Sequence, residues 1–162
     1  MRYANAAVAV RWTDRKEDIM SWSESVLVVA NRTADTDELY DAVLARAARS
    51  PIHVTLLVPG AWEVGDPPGS QQASRRRLRS ATARLRDSGV AVQGVLGDGD
   101  PIAAVQSVWD PDRFDEVIVC TLPATVSKWL RIDLPHRVER LTGAPVTHVT
   151  AEASHAFDHA SV

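Results

Sequence analysis

Residues 116–149, EVIVCTLPATVSKWLRIDLPHRVERLTGAPVTHV, hold a complete strand, loop, helix, strand pattern. Val117, Ile118, Val119 and Cys120 form a short apolar run, rich in β-branched residues and bounded by polar ones, as expected of a strand buried on both faces. Residues 121–133 follow as a long loop. Residues 134–142 put Val138 and Leu141 on one helical face, Gly143 supplies a C-terminal stop, and residues 145–149 form a second β-branched run. The unit is βαβ. In such units the ligand crevice forms at the carboxyl ends of the strands and the loops leaving them, so the 121–133 loop is the first place to look for a site.

Working outward toward the N-terminus, the same alternation repeats. Residues 25–30 (SVLVVA) read as a strand, and Asn31, Arg32 and Thr33 suit a strand-to-helix turn. Asp35 or Thr36 can cap a helix that runs to about Arg49, with Leu39, Val43 and Ala47 on one face and Asp37 and Glu38 in the first turn. Residues 52–58 (IHVTLLV) are a second strand, and the Pro- and Gly-rich stretch that follows is a surface loop. Residues 70–88 read as a helix with Leu78, Ala81 and Leu85 inward. Its arginines, Arg75, Arg76, Arg77, Arg79, Arg84 and Arg86, read as a solvated outer face, because no aromatic is interleaved among them for base stacking. After a third strand at 90–96, residues 97–101 (GDGDP) make a tight turn in which Asp100 caps and Pro101 opens a helix carrying Ile102, Val105 and Trp109.

The resulting order, β-α-β-α-β-α-β-α-β, predicts a single doubly wound α/β domain: a mostly parallel five-stranded sheet with helices on both faces. A chain of 162 residues with 45% hydrophobic residues can bury one core of that size. The domain is expected over 25–150, after a loose extension at 1–24 and before a pattern-free mobile tail at 151–162; Met20 is an alternative start. A formal net charge of −3 and a pI near 5.9 provide no global attraction to nucleic acid or to an anionic membrane. The lone Cys120 excludes an intrachain disulfide and fits a reducing compartment, so a cytoplasmic location is expected. It reads as a small buried hydrophobe at a strand end.

The opening VLVVAN followed by a helix, the 97–101 turn before the third helix, and the closing EVIVCT, long loop, helix and APVTHV together resemble the universal stress protein family, whose fold belongs with the adenine-nucleotide α-hydrolase-like proteins. The resemblance spans about 26–149. It implies a cytosolic stress-response protein that dimerises through the edge of strand five, and, in ATP-binding members, a glycine motif after strand four. Glycines there let the backbone approach phosphates at a helix N-terminus. Laid on this chain, the motif positions fall on Thr121, Ala124, Leu134 and Pro135, none of which matches, and Pro135 removes a backbone donor. The aspartate the family often has after strand one falls on Asn31, which keeps an acceptor, adds a donor and loses the charge.

In place of the glycines, the loop offers hydroxyls, two cations and an aromatic: Thr125, Ser127, Lys128, Trp129 and Arg131. Two functional expectations follow. One is binding or sensing of a nucleotide, ATP or another adenine nucleotide, or of a different anion, at the carboxyl ends of strands one and four. Its contacts are Asn31, Arg32 and Thr33, backbone at Val54 for an adenine edge, and Thr121, Ala124, Ser127, Lys128 and Arg131. The other is a ligand-free dimeric scaffold with the same fold, in which Trp129 and Leu130 anchor the loop. An adenylate-cleaving or transferring enzyme of the superfamily is a weaker third. No catalytic residue is assigned, since no nucleophile has a recognisable base. A receiver domain would need paired acidic residues after strand one, where Ala30 and Asn31 stand. No metal site is expected from His155 and His159, which lack the glutamate of a metalloprotease helix.

Overall fold

A computed structural model of the chain describes residues 23–60 and 70–152. Most of the expected extension, the 61–69 part of the proline-rich loop, the tail from residue 153 and the His155 and His159 pair lie outside the described residues. Five strands, β1 (Glu24–Val29), β2 (Ile52–Pro59), β3 (Ala91–Gly97), β4 (Glu116–Thr121) and β5 (Val146–Thr150), form one sheet in the order β3-β2-β1-β4-β5. All four strand pairings are parallel. The connections carry α1 (Asp37–Arg49), α2 (Ser70–Asp87), α3 (Pro101–Val108), the single turn α4 (Lys128–Arg131) and α5 (Leu134–Thr142).

Because side chains alternate along a strand, the central strands feed two cores. Val26, Val28, Val54, Leu56, Ile118 and Cys120 face Leu39 and Val43 of α1 and Ala81 and Leu85 of α2. Leu27, Val29, Leu57, Val117 and Val119 face Ala104 and Val105 of α3 and Leu134 and Val138 of α5. This gives the expected three layers, and it explains why β1 and β4 are continuous apolar runs instead of alternating ones. Full burial of each valine, leucine or isoleucine among them contributes roughly 1.5–3 kcal/mol. The sequence direction reverses between β1 and β4: the chain winds outward from β1 to β2 and β3, then returns to add β4 and β5 on the other side.

Local chemistry sets the helix starts. Asp100 caps α3, its carboxylate accepting from the Ile102 N–H at 3.0 Å, with Pro101 at the first helical position. Thr36 stands at the cap position of α1, but its hydroxyl donates to the Thr33 carbonyl at 2.7 Å instead of capping. Three segments depart from the sequence reading of the elements. The 121–133 segment is not a loop throughout, since α4 forms behind Ser127, whose Oγ accepts from the Leu130 N–H. Helix α3 stops at Val108, and Trp109 leaves it to stack on Phe114 with ring centres 5.6 Å apart. Ala151, assigned to the tail, is fully buried and donates its N–H to the Thr121 carbonyl at 2.9 Å, extending the parallel ladder beyond β5. No described helix is long and apolar enough to cross a membrane.

Candidate functional site

Where the winding direction reverses, the loops leaving β1 and β4 diverge and leave a cavity of about 290 Å³. The β1 side supplies Asn31, Arg32 and Thr33. The β4 side supplies Cys120, Thr121 and Leu122, then Val126, Ser127, Lys128, Trp129 and Ile132; Gly99 and Pro101 close it from the turn before α3. Six of the residues expected as contacts, Asn31, Arg32, Thr33, Thr121, Ser127 and Lys128, are thereby brought to one cavity.

The other three lie elsewhere. Val54 pairs with Val26 and Val92, near the start of β2, so its backbone faces ladder partners on both sides and its side chain is fully buried. Ala124 and Arg131 are exposed and do not line the cavity.

Much of the polar chemistry at the cavity is already engaged in holding its walls. The Thr33 hydroxyl, 2% exposed, donates to the Cys120 carbonyl at 2.9 Å and ties the β1 loop to the end of β4. The Thr121 hydroxyl meets His148 Nε2 of β5 at 2.7 Å, and desolvation holds that imidazole below the ordinary histidine range, favouring the neutral ring. Ser127, 4% exposed, caps α4. Trp129 both lines the cavity and packs against the α3–α5 core, so the loop is anchored by one of its own candidate contacts. The thiol of Cys120 is buried, and burial pushes it up to about 11.

Asn31 is the hinge of the β1 side. Its Nδ2 donates to the Pro59 carbonyl at the end of β2 (3.0 Å), while its Oδ1 accepts from Arg77 Nη1 at 3.0 Å and from Ser74 Oγ at 3.3 Å. An aspartate could accept from α2 in the same way but would set a negative oxygen against the Pro59 carbonyl, so the amide is the group that satisfies both neighbours. Arg77 was expected on a solvated face and is instead half-buried. Desolvation pulls it below the usual arginine range, with Arg32 and Arg76 adding like-charge repulsion. Arg84 stays partly exposed, pairing at the surface with Asp37 at 2.7 Å and lying 3.9 Å over the Tyr40 ring. Neither contact could be read from α2 alone, because each partner lies more than 40 residues away in the chain.

On the β4 side, the start of α5 offers little to an anion. Asp133 precedes it in the left-handed region (φ 53°), its carboxylate 2.8 Å from His136 Nδ1, and Pro135 lacks an N–H. Leu134, at a motif position where a glycine would stand, is fully buried in the α3–α5 core. Among the described residues no group of three His, Cys, Asp or Glu side chains is placed to hold a metal ion.

No protein-family model matches the chain, and no curated protein matches it at a significant level. Solved structures do. The chain superimposes on a universal stress protein family protein from Arabidopsis thaliana with AMP bound (TM-score 0.57, 14% identity, covering 81% of this chain and 94% of that one). It superimposes likewise on the universal stress protein from Archaeoglobus fulgidus (0.51, 17%, 78% and 93%). A protein of the same family from Burkholderia pseudomallei also matches (0.50, 19%, 81% and 98%). The fold is that of the universal stress proteins.

Proposed function

We propose that this protein acts as a universal-stress-protein-like, cytoplasmic stress-response protein that binds or senses a nucleotide or another small anion at the carboxyl ends of β1 and β4. The observation that carries this reading is the cavity at the reversal of winding, where Arg32 and Lys128 face a common space beside Asn31, Thr33, Thr121 and Ser127. Its volume of about 290 Å³ lies at the small end of the roughly 300–1,000 Å³ usual for ligand sites and suits a ligand of mononucleotide size. The same-fold protein from Arabidopsis thaliana with AMP bound supports a nucleotide as the first ligand to test. Isothermal titration with ATP, ADP, AMP and cyclic nucleotides is expected to show binding tighter than millimolar for at least one. Absence of binding across the set would end the reading.

A second reading, a dimeric scaffold, is favoured by one observation: among the described residues β5 pairs only with β4, and Thr147, His148 and Thr150 are exposed along it. An unpaired edge of β-branched residues is a template for strand pairing. Sedimentation at tens of micromolar is expected to give a dimer, and a monomer would count against this reading.

A further inference from the structure

The cavity is chemically lopsided. On the β4 side its wall is largely apolar: Val126 and Ile132 line it while remaining 42% and 40% exposed, and Trp129 lies beside them. Large aliphatic side chains left this open at the mouth of a cavity are partners for a flat apolar group. The adjoining start of α5 repels an anion, because the Asp133 carboxylate and Pro135 stand where free N–H groups would otherwise point outward. On the β1 side the balance is opposite. Arg32 lines the cavity, Arg77 is fixed on Asn31 immediately behind it, and Arg76 is near enough to bear on Arg77. None of the three arginines has a carboxylate within ion-pair distance among the described residues. Arg32 on the cavity wall and the half-buried Arg77 behind Asn31, neither neutralised among the described residues, form a positive site that an incoming anion would relieve.

Resting on the binding reading above, we infer that the ligand's polarity is set by the arginines of the β1 side: its anionic group sits against Arg32, with Arg77 adding charge from behind Asn31, and its flat apolar part lies against Val126, Trp129 and Ile132. The ligand class is a small amphiphile that joins a phosphate-like anion to a flat ring system, as a nucleoside monophosphate does. Arg77 is a positioning residue. Its guanidinium orients Asn31 and raises the local potential. Lys128, exposed on α4, is the other cation at the cavity among the described residues and lies on the apolar side, where it serves the anion less.

The test compares AMP with adenosine by titration calorimetry on the full chain, since the pair differs only in the anionic group. In the unmodified protein AMP should bind at least about tenfold tighter than adenosine, the usual weight of one charge-assisted contact. Arg32→Ala should collapse that ratio toward one, weakening AMP far more than adenosine. Arg32 is exposed and makes no side-chain hydrogen bond that folding needs, so this variant keeps its fold, checked by an unchanged melting temperature. Arg77→Gln should reduce the ratio and Arg77→Lys should restore part of it, a rescue that a purely structural role for Arg77 would not give. Lys128→Ala should change the ratio less than Arg32→Ala. An AMP-to-adenosine ratio untouched by Arg32→Ala, or a larger loss in Lys128→Ala, would overturn the inference while the binding reading stood. Failure of the unmodified protein to bind either compound at millimolar concentration would overturn the inference, and the binding reading would fall with it only if ATP, ADP and cyclic nucleotides also failed to bind.

Discussion

Cys120 and His148 show how far a residue's neighbours override its intrinsic chemistry. The Cys120 thiol sits at the carboxyl end of β4 with its side chain in the core, and burial raises it to about 11. Only the thiolate reacts readily, so Cys120 should resist a thiol reagent at pH 8 in the native protein and be modified at once in denaturant. Fast native labelling, followed by mass spectrometry, would show that β4 opens locally. His148 faces the Thr121 hydroxyl, and its folded value lies below 6.5. Because the unfolded chain then binds the proton more readily, the stability contributed by the neutral ring is present above 6.5 and is lost as pH falls through the folded value. Acidification from pH 7 to pH 5 should therefore lower the melting temperature more in the native chain than in His148→Gln. Equal shifts would mean that the imidazole is not desolvated.

At the scale of elements, the walls of the cavity depend on how closely helices approach strand ends. Gly97 closes β3, and the residues that follow it lead straight into α3 through the Asp100 cap. A Cβ at Gly97 would come within 2.7 Å of Leu57 Cδ1 and 2.9 Å of Ala104 Cβ. The leucine methyl can turn aside, but the alanine is fixed to the helix, so α3 must move away from the sheet. Gly97→Ala should destabilise by about 1–3 kcal/mol through overpacking, read as a lower urea midpoint with an unchanged slope. Since Gly99 and Pro101 line the cavity, the same variant should also weaken ligand binding. Helix α4 has only one turn and stands on the Ser127 cap and the packing of Trp129, which is why a stretch without helical periodicity still orders beside the cavity.

Across the whole molecule, the two ends of the sheet have separate tasks. The site occupies the carboxyl ends of the strands, while at the amino ends Arg46 in the last turn of α1 joins Glu24 of β1, Glu116 of β4 and Ser50. Its side chain is 10% exposed and that of Glu116 18%, so removing the cation leaves a largely buried carboxylate unpaired. Arg46→Ala should cost about 1–3 kcal/mol of stability and leave ligand affinity unchanged; a change in affinity would show that the two ends are coupled. The sequence by itself determined the elements and their layers, since β-branched runs, helical faces, the Asp100 cap and the Gly143 stop are written within a few neighbouring residues each. It also pointed to the loops after β1 and β4. The tertiary structure alone decided which side chains face the cavity and in what state: Thr33 spent on the Cys120 carbonyl, Val54 enclosed by strand partners, and Arg77 drawn from an apparently solvated helix face onto Asn31. Each of those depends on contact between segments distant in the chain, where burial and hydrogen-bond competition among several partners, and not local periodicity, set the outcome.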